Sequence, residues 1–276
     1  MHKKKYFLYL SISIFLIGCT SNNHKMVKSE NYDSRVKYLV IHYTSESLED
    51  SINLLTTKTN YPVSSHYLIA EDGQIYQLVS ETKRAWHAGK SYWRGERGLN
   101  DTSIGIEIVN KSGCAMPMEK LITFYEILEY CSFNEYPKVQ INKVIQLSKE
   151  IIARHPRIKP FNIVAHSDIA PIRKIDPGPL FPWKYLADQG IGAWYDQNDY
   201  ISFQEIFSKK LPDLKLLQEK LRVYGYEIEP SGANDFQSMS AIRSFQLHFR
   251  PKKYDGFFDV ETAAILYALL KKSDLI

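Results

Sequence analysis

Residues 139–166 read VQINKVIQLSKEIIARHPRIKPFNIVAH. Ile141, Val144, Ile145, Leu147, Ile151 and Ile152 recur at three- and four-residue intervals, the broad stripe of a helix with one buried face. Pro156 lies just beyond and stops it. Asn162–Ala165 is then a short apolar run of strand length, closed by His166. A helix followed at once by a buried strand is the building unit of an α/β domain.

The flanking sequence extends that unit. Lys37–Tyr43 (KYLVIHY) is a second buried-strand candidate, and Leu48–Thr57 has helical character. Tyr67–Ala70 and Gln74–Val79 flank Glu71-Asp72-Gly73, a hairpin signal. Ser103–Val109 alternates, with Ile104, Ile106 and Ile108 on one face. Met118–Cys131 has helical spacing at Leu121, Tyr125 and Leu128. Asp168–Trp183 holds Pro171, Pro177, Pro179 and Pro182, so the spacing predicts a long irregular loop, and such loops usually carry function. From Pro212 onward three amphipathic helices are predicted, punctuated by Gly225 and Asp255-Gly256, with Asp259 as a cap. They make a small second domain over 212–276, joined through a connection at 197–211.

The chain has 276 residues, enough for one domain and a smaller one, and its 44% apolar content suffices for a core. No run reaches ~18 apolar residues, which excludes a membrane-spanning helix. The net charge is +4, but Lys3, Lys4 and Lys5 belong to a removable leader, which leaves the rest near neutral. Nucleic acid is therefore not an expected partner, since such affinity rests on Lys and Arg against phosphates.

Residues 1–18 have the form of a bacterial export signal: the three lysines, then the apolar stretch Tyr6–Ile17, then Leu16-Ile17-Gly18-Cys19. That ending resembles a lipobox, which implies lipidation of Cys19 and cleavage before it. Several acyl chains give stable membrane anchoring where one is marginal. Thr20 after Cys19 points to the outer membrane, facing the periplasm. The polar residues up to 34 read as a flexible tether. Cys114 and Cys131 remain; they either pair or stay as thiols.

Two of the eight histidines stand out. His42 and His166 each end a run that should be buried, where an imidazole at the carboxyl edge of a strand faces a cleft. A catalytic zinc takes three protein ligands and an open position. Asp168, two residues from His166, and Asp176, in the Pro-rich loop, both qualify as the third ligand, and spacing alone does not choose. Asp168 also suits a plain turn or cap role. Glu107 sits mid-strand opposite the isoleucine face, costly unless paired or facing water. It is either a solvent-facing edge position or a general base. Lys174 is either a surface lysine or a cation for a developing oxyanion. Trp86-His87-Ala88-Gly89 is an aromatic loop stretch, either a packed loop or a wall for a sugar ring.

Five ordered strings carry a resemblance: LVIHYT (39–44), SSHYLIAEDGQIYQLV (64–79), AWHAG (85–89), SIGIEIVN (103–110) and AHSDIAPIRKIDPGPLFPW (165–183). Over 35–196 the chain resembles the type 2 N-acetylmuramoyl-L-alanine amidases. The resemblance implies a central mixed β-sheet flanked by helices and one zinc ion per chain, held by His42, His166 and Asp176. It further implies Glu107 and Lys174 as catalytic residues, and Trp86, His87, Ala88 and Gly89 along the substrate groove. His66 also falls in a matching string but reads as structural. The implied substrate is peptidoglycan or its fragments, anhydro forms included, acted on by a monomer. Residues 212–272 resemble, more loosely, a peptidoglycan-binding helical module, through Leu217-Gln218, Gly225-Tyr226, Phe245-Gln246 and Asp255-Gly256. A recognition protein without catalysis is the rival, but such relatives lack the ligands present here. A zinc peptidase would be expected to carry H-E-x-x-H, which is absent.

Overall fold

The structure is a computed structural model that describes residues 25–276. The leader and Cys19 lie outside the described residues. The chain divides into two units, Met1–Asp33 and Ser34–Ile276. Of the first, the described residues 25–33 carry neither helix nor strand.

The second unit begins with β1 (Tyr38–Tyr43), α1 (Leu48–Thr56), β2 (Tyr67–Ile69) and β3 (Ile75–Gln77). Two-residue strands β4 (Tyr92–Trp93) and β5 (Glu96–Arg97) precede β6 (Ser103–Ile108). Then come β7 (Gly113–Cys114), α2 (Phe124–Tyr130), β8 (Cys131–Ser132), α3 (Lys138–Arg154) and β9 (Ile163–Ala165). Helices complete the chain: α4 (His166–Ile169), α5 (Trp183–Asp188), α6 (Gln197–Lys209), α7 (Leu214–Tyr224), α8 (Phe236–Phe249) and α9 (Val260–Lys272). Among the described residues no helix is long and apolar enough to cross a membrane.

The central sheet runs β3-β2-β6-β1-β9. β2, β6, β1 and β9 are parallel; only β3 runs antiparallel, through the expected hairpin. β1 is buried along its whole length, as a central strand covered on both faces must be. The alternation of side chains sorts the two faces. Leu39, Ile41, Ile104, Ile106 and Ile108 pack with Ile141, Val144 and Ile151 of α3. Val40 and Val164 point the other way and meet Leu221, Tyr224, Phe245 and Leu266 from α7, α8 and α9.

Two expectations change, one at Met118–Cys131 and one at 197–211. The run Met118–Cys131 is not one helix: a single 3-10 turn spans Met118–Lys120, and α2 starts afresh at Phe124. Thr123 and Glu126 form a reciprocal capping box that opens a new helix in the middle of the apolar period. The loop 168–183 is irregular as expected, save for the one-turn helix α4 at its start and the opening of α5 at its end. Residues 197–211 are mostly helix α6, capped by Asp196, with Phe203 and Phe207 against Tyr267 of α9. The three expected C-terminal helices form; α7, α8 and α9 share one cluster with the sheet, and Leu217, Ala263 and Ala264 make a second with Phe207 of α6.

Candidate active site

His42 is the fifth residue of β1 and stands in register with Glu107 of β6. Paired residues on parallel strands point to the same face, so the two approach, with His42 Nδ1 3.9 Å from Glu107 Oε1. β9 pairs with β1 up to Ala165 opposite Ile41, and the next residue, His166, falls beside His42. The strand ends and the loop after β9 thus converge at the carboxyl edge of the sheet. Their Nδ1 atoms are 2.9 Å apart. Asp176 Oδ2 lies 3.3 Å from His42 Nδ1 and 3.1 Å from His166 Nδ1.

Hydrogen bonding on the far side of each ring fixes the tautomers. His166 Nε2 lies 3.3 Å from the Ala88 carbonyl, which only accepts, so this nitrogen carries the proton. His42 Nε2 lies 3.0 Å from His87 Nδ1, and His87 Nε2 lies 3.2 Å from Ser103 Oγ. Ser103 donates its hydroxyl proton to the Leu99 carbonyl at 2.6 Å. Every bond is satisfied if protons point outward along this chain: His42 to His87, His87 to Ser103, Ser103 to Leu99. Two bare Nδ1 lone pairs and a carboxylate oxygen then face one another in a buried site, an arrangement that a cation satisfies. The three ligand atoms lie within 4.8 Å of one another. Two imidazoles, one carboxylate and an open side match the donor set of a catalytic zinc.

Electrostatics agree. Burial pushes His166 down to about 4, with Asp176 opposing and His42 adding, so the ring is neutral. Burial acts to raise Asp176, but its two imidazole neighbours, His166 first and then His42, outweigh this and hold it well below the usual carboxylate range. Burial lowers His87 well below its ordinary value, and the neighbouring His42, His66 and His166 lower it further. Burial pushes Glu107 up to about 7, against His42 and Lys174 and with Asp176. Glu107 Oε2 is buried with no hydrogen-bond partner among the described residues.

The cleft above these groups has a volume of about 340 Å³ and is lined by Glu107, His166, Asp176, Lys174, Trp86 and His87. Tyr43, Leu54, Val63, Met116 and Arg173, which the sequence did not single out, line it too. Its lip runs through Cys114–Met118, where Cys114 and Cys131 form a disulfide across the β7–β8 pair.

The expected groove wall 86–89 divides. Trp86 is half exposed at the cleft, while His87 is buried and turned onto His42. Ala88 is fully buried and works through its carbonyl, and Gly89 borders a neighbouring cavity. His87 fits because residue 105 is glycine: a Cβ there would meet the His87 ring at 2.5 Å. A glycine inside an apolar strand is the signal that could have revealed this close approach. His66 is structural, with Nδ1 accepting from Gly105 N and Nε2 donating to the Lys83 carbonyl. Asp168 is buried, and its oxygens are taken by Ala165 N, Tyr226 and His248, so it joins no metal-type cluster.

Comparison with known proteins agrees with this geometry. Residues 32–179 match the family model for N-acetylmuramoyl-L-alanine amidase, and residues 210–266 match that for a putative peptidoglycan binding domain. N-acetylmuramoyl-L-alanine amidase AmiD of Escherichia coli is 41% identical over 288 aligned positions, 98% of each chain. The crystal structure of AmpDh3 from Pseudomonas aeruginosa superposes with a TM-score of 0.80 at 41% identity, covering 94% of this chain and 100% of that one. A complex of E. coli AmiD with the substrate anhydro-N-acetylmuramic acid-L-Ala-D-gamma-Glu-L-Lys superposes with a TM-score of 0.77 at 42% identity, covering 91% and 94%. Near-complete coverage at such identity leaves one family assignment: this chain belongs to the N-acetylmuramoyl-L-alanine amidases.

Proposed function

We propose that this amidase hydrolyses the amide between the lactyl group of N-acetylmuramic acid and L-alanine of the stem peptide, anhydro-muropeptides included, with one zinc ion. His42 Nδ1, His166 Nδ1 and an Asp176 oxygen would hold the ion. The observation that carries this reading is the convergence of those three bare lone pairs beside Glu107. When bound, such an ion lowers the pKa of water and polarises a carbonyl oxygen.

The protein's own groups do the rest. Glu107 takes the proton of the attacking water and delivers it to the leaving nitrogen of L-alanine. An acid–base group raised to about 7 can perform both transfers near neutral pH. Lys174, in the same cleft, stabilises the charge that develops on the carbonyl oxygen. Trp86 offers an exposed ring to the substrate at the cleft wall. The inclusion of anhydro forms is supported by the relative whose solved complex holds an anhydro-N-acetylmuramic acid peptide as substrate.

The remaining proposals concern placement. The lysine-rich leader and Leu16-Ile17-Gly18-Cys19 support export over 1–18, lipidation at Cys19, and a periplasm-facing outer-membrane anchor. Residues 19–34 serve as the tether, 35–196 as the catalytic part, 197–211 as the connection and 212–276 as the peptidoglycan-binding part of a monomer. Local concentration on the wall would rise through anchor and module together. Replacing Cys19 by Ser abolishes incorporation of labelled fatty acid if this reading holds.

Mass spectrometry of purified muropeptides tests the chemistry, using residues 21–276. Release of a stem peptide beginning at L-alanine, lost on chelation and restored by zinc, is expected. Binding of muropeptide without release would make the chain a recognition protein.

A further inference from the structure

The segment 166–183 carries His166, Lys174 and Asp176, yet between α4 and α5 it has no helix or strand. A single turn such as α4 does not hold itself in water. Something outside the segment must fix the two ligands it contributes.

Tyr136 holds the Pro177 carbonyl and Arg173 those of Ala88 and Lys90, and the C-terminal helices add support at three further points. At the start, the Asp168 carboxylate is buried two residues from His166. Its Oδ2 accepts from Ala165 N at 2.8 Å and from His248 Nδ1 of α8 at 2.7 Å, and its Oδ1 accepts from the Tyr226 hydroxyl just after α7. In the middle, Ile175 packs in one cluster with Leu247 and Tyr254. At the end, the His248 ring stacks on Trp183 with centroids 3.9 Å apart. One side chain of α8 therefore touches both ends of the segment. A buried carboxylate is tolerated only while its donors are present.

We propose that the C-terminal helices are a positioning element of the metal site, in which Tyr226 and His248 act through Asp168 to hold His166 and Asp176 where they meet His42. This assigns to the region matched as a peptidoglycan-binding domain a second task, independent of any contact with the wall. The inference rests on the zinc reading above.

The test is zinc affinity of the detergent-solubilised full-length chain, measured by competition with a chromophoric chelator, alongside melting of the metal-free forms. Tyr226→Phe keeps the ring packed against Trp93 and removes only the hydroxyl. Tyr226→Phe and His248→Ala are each expected to weaken zinc by about 10- to 100-fold, the effect of losing a partner that orients a metal ligand. His248→Asn, which keeps a donor near the Nδ1 position, restores most of that loss. Leu217→Ala, in the separate cluster with Phe207 and Ala263, lowers the melting temperature and leaves zinc affinity unchanged. Unaltered affinity in Tyr226→Phe and His248→Ala, even with lowered melting temperatures, would overturn the proposal. A parent chain that takes up no zinc would overturn the zinc reading itself, and the proposal with it.

Discussion

His87 Nδ1 lies 3.0 Å from His42 Nε2, on the opposite side of the imidazole from the cluster with His166 and Asp176. The ring thus sets which nitrogen of His42 is bare. His87→Ala should weaken zinc affinity about 10- to 100-fold while Trp86 still lines the cleft. Gly105→Ala, which drives a methyl into the His87 ring, should destabilise the fold by about 1–3 kcal/mol and weaken zinc as well. Isothermal titration and thermal melting check both, and unchanged zinc binding in His87→Ala would remove the ring from the site.

Glu107 is held up to about 7, chiefly by burial. In the metal-free chain its carboxyl should titrate near that pH, read by carbon NMR of labelled glutamate. A dication beside it stabilises the carboxylate, so zinc should move the midpoint down. Below the midpoint Glu107 is protonated and accepts no proton, so activity falls as pH falls through it. Glu107→Gln should lower kcat by about 10²–10⁴ and abolish this acid limb. A retained limb would place the titration on another group.

Lys174→Ala should lower kcat by about 100- to 1000-fold with the melting temperature unchanged, the usual cost of losing an oxyanion donor. The conservative Lys174→Arg should keep the charge and part of the rate. Near-parent turnover in Lys174→Ala would make this lysine a bystander.

Glu81 joins β2 to the end of α3, accepting from Tyr67, Arg154 and His155. Burial acts to raise its pKa, but the hydrogen bonds from Arg154, Tyr67 and His155 outweigh it and hold it at about 2 against an ordinary 4.5. The folded pKa is depressed, so the stabilisation is full above about 4.5 and is lost as pH falls toward about 2. Glu81→Gln should cost about 1–2 kcal/mol at pH 7, at the low end because Arg154 is half exposed. The difference from the parent should vanish near pH 2 in denaturant melts; a constant difference across pH would deny the ion pairs this role.

The disulfide Cys114–Cys131 closes a separation of 17 residues along the cleft lip. Reduction, or the pair Cys114→Ser and Cys131→Ser, should lower stability by about 3 kcal/mol on the loop-entropy scale. Equal denaturation midpoints with and without reductant would show that the lip is held by packing alone.

What the amino-acid sequence determined by itself was local. The isoleucine stripe of α3, the apolar runs of β1 and β9, and the alternation of β6 are readable because period and polarity act over a few residues. The histidines at the ends of β1 and β9 were legible for the same reason: each interrupts an apolar run. Helix α6 was not, because its apolar face finds partners only in α7 and α9, where Phe207 meets Tyr267 60 residues on. Between Asp168 and Asp176 the resemblance had named Asp176, but the physical reason for that choice lay in the tertiary structure. Both carboxylates follow His166 closely in the chain, and spacing treats them alike. Folding brings Tyr226 and His248, 58 and 80 residues away, onto Asp168 and uses up its lone pairs, while Asp176 is left facing two bare nitrogens. A carboxylate's role depends on which donors reach it, and those donors come from distant parts of the chain.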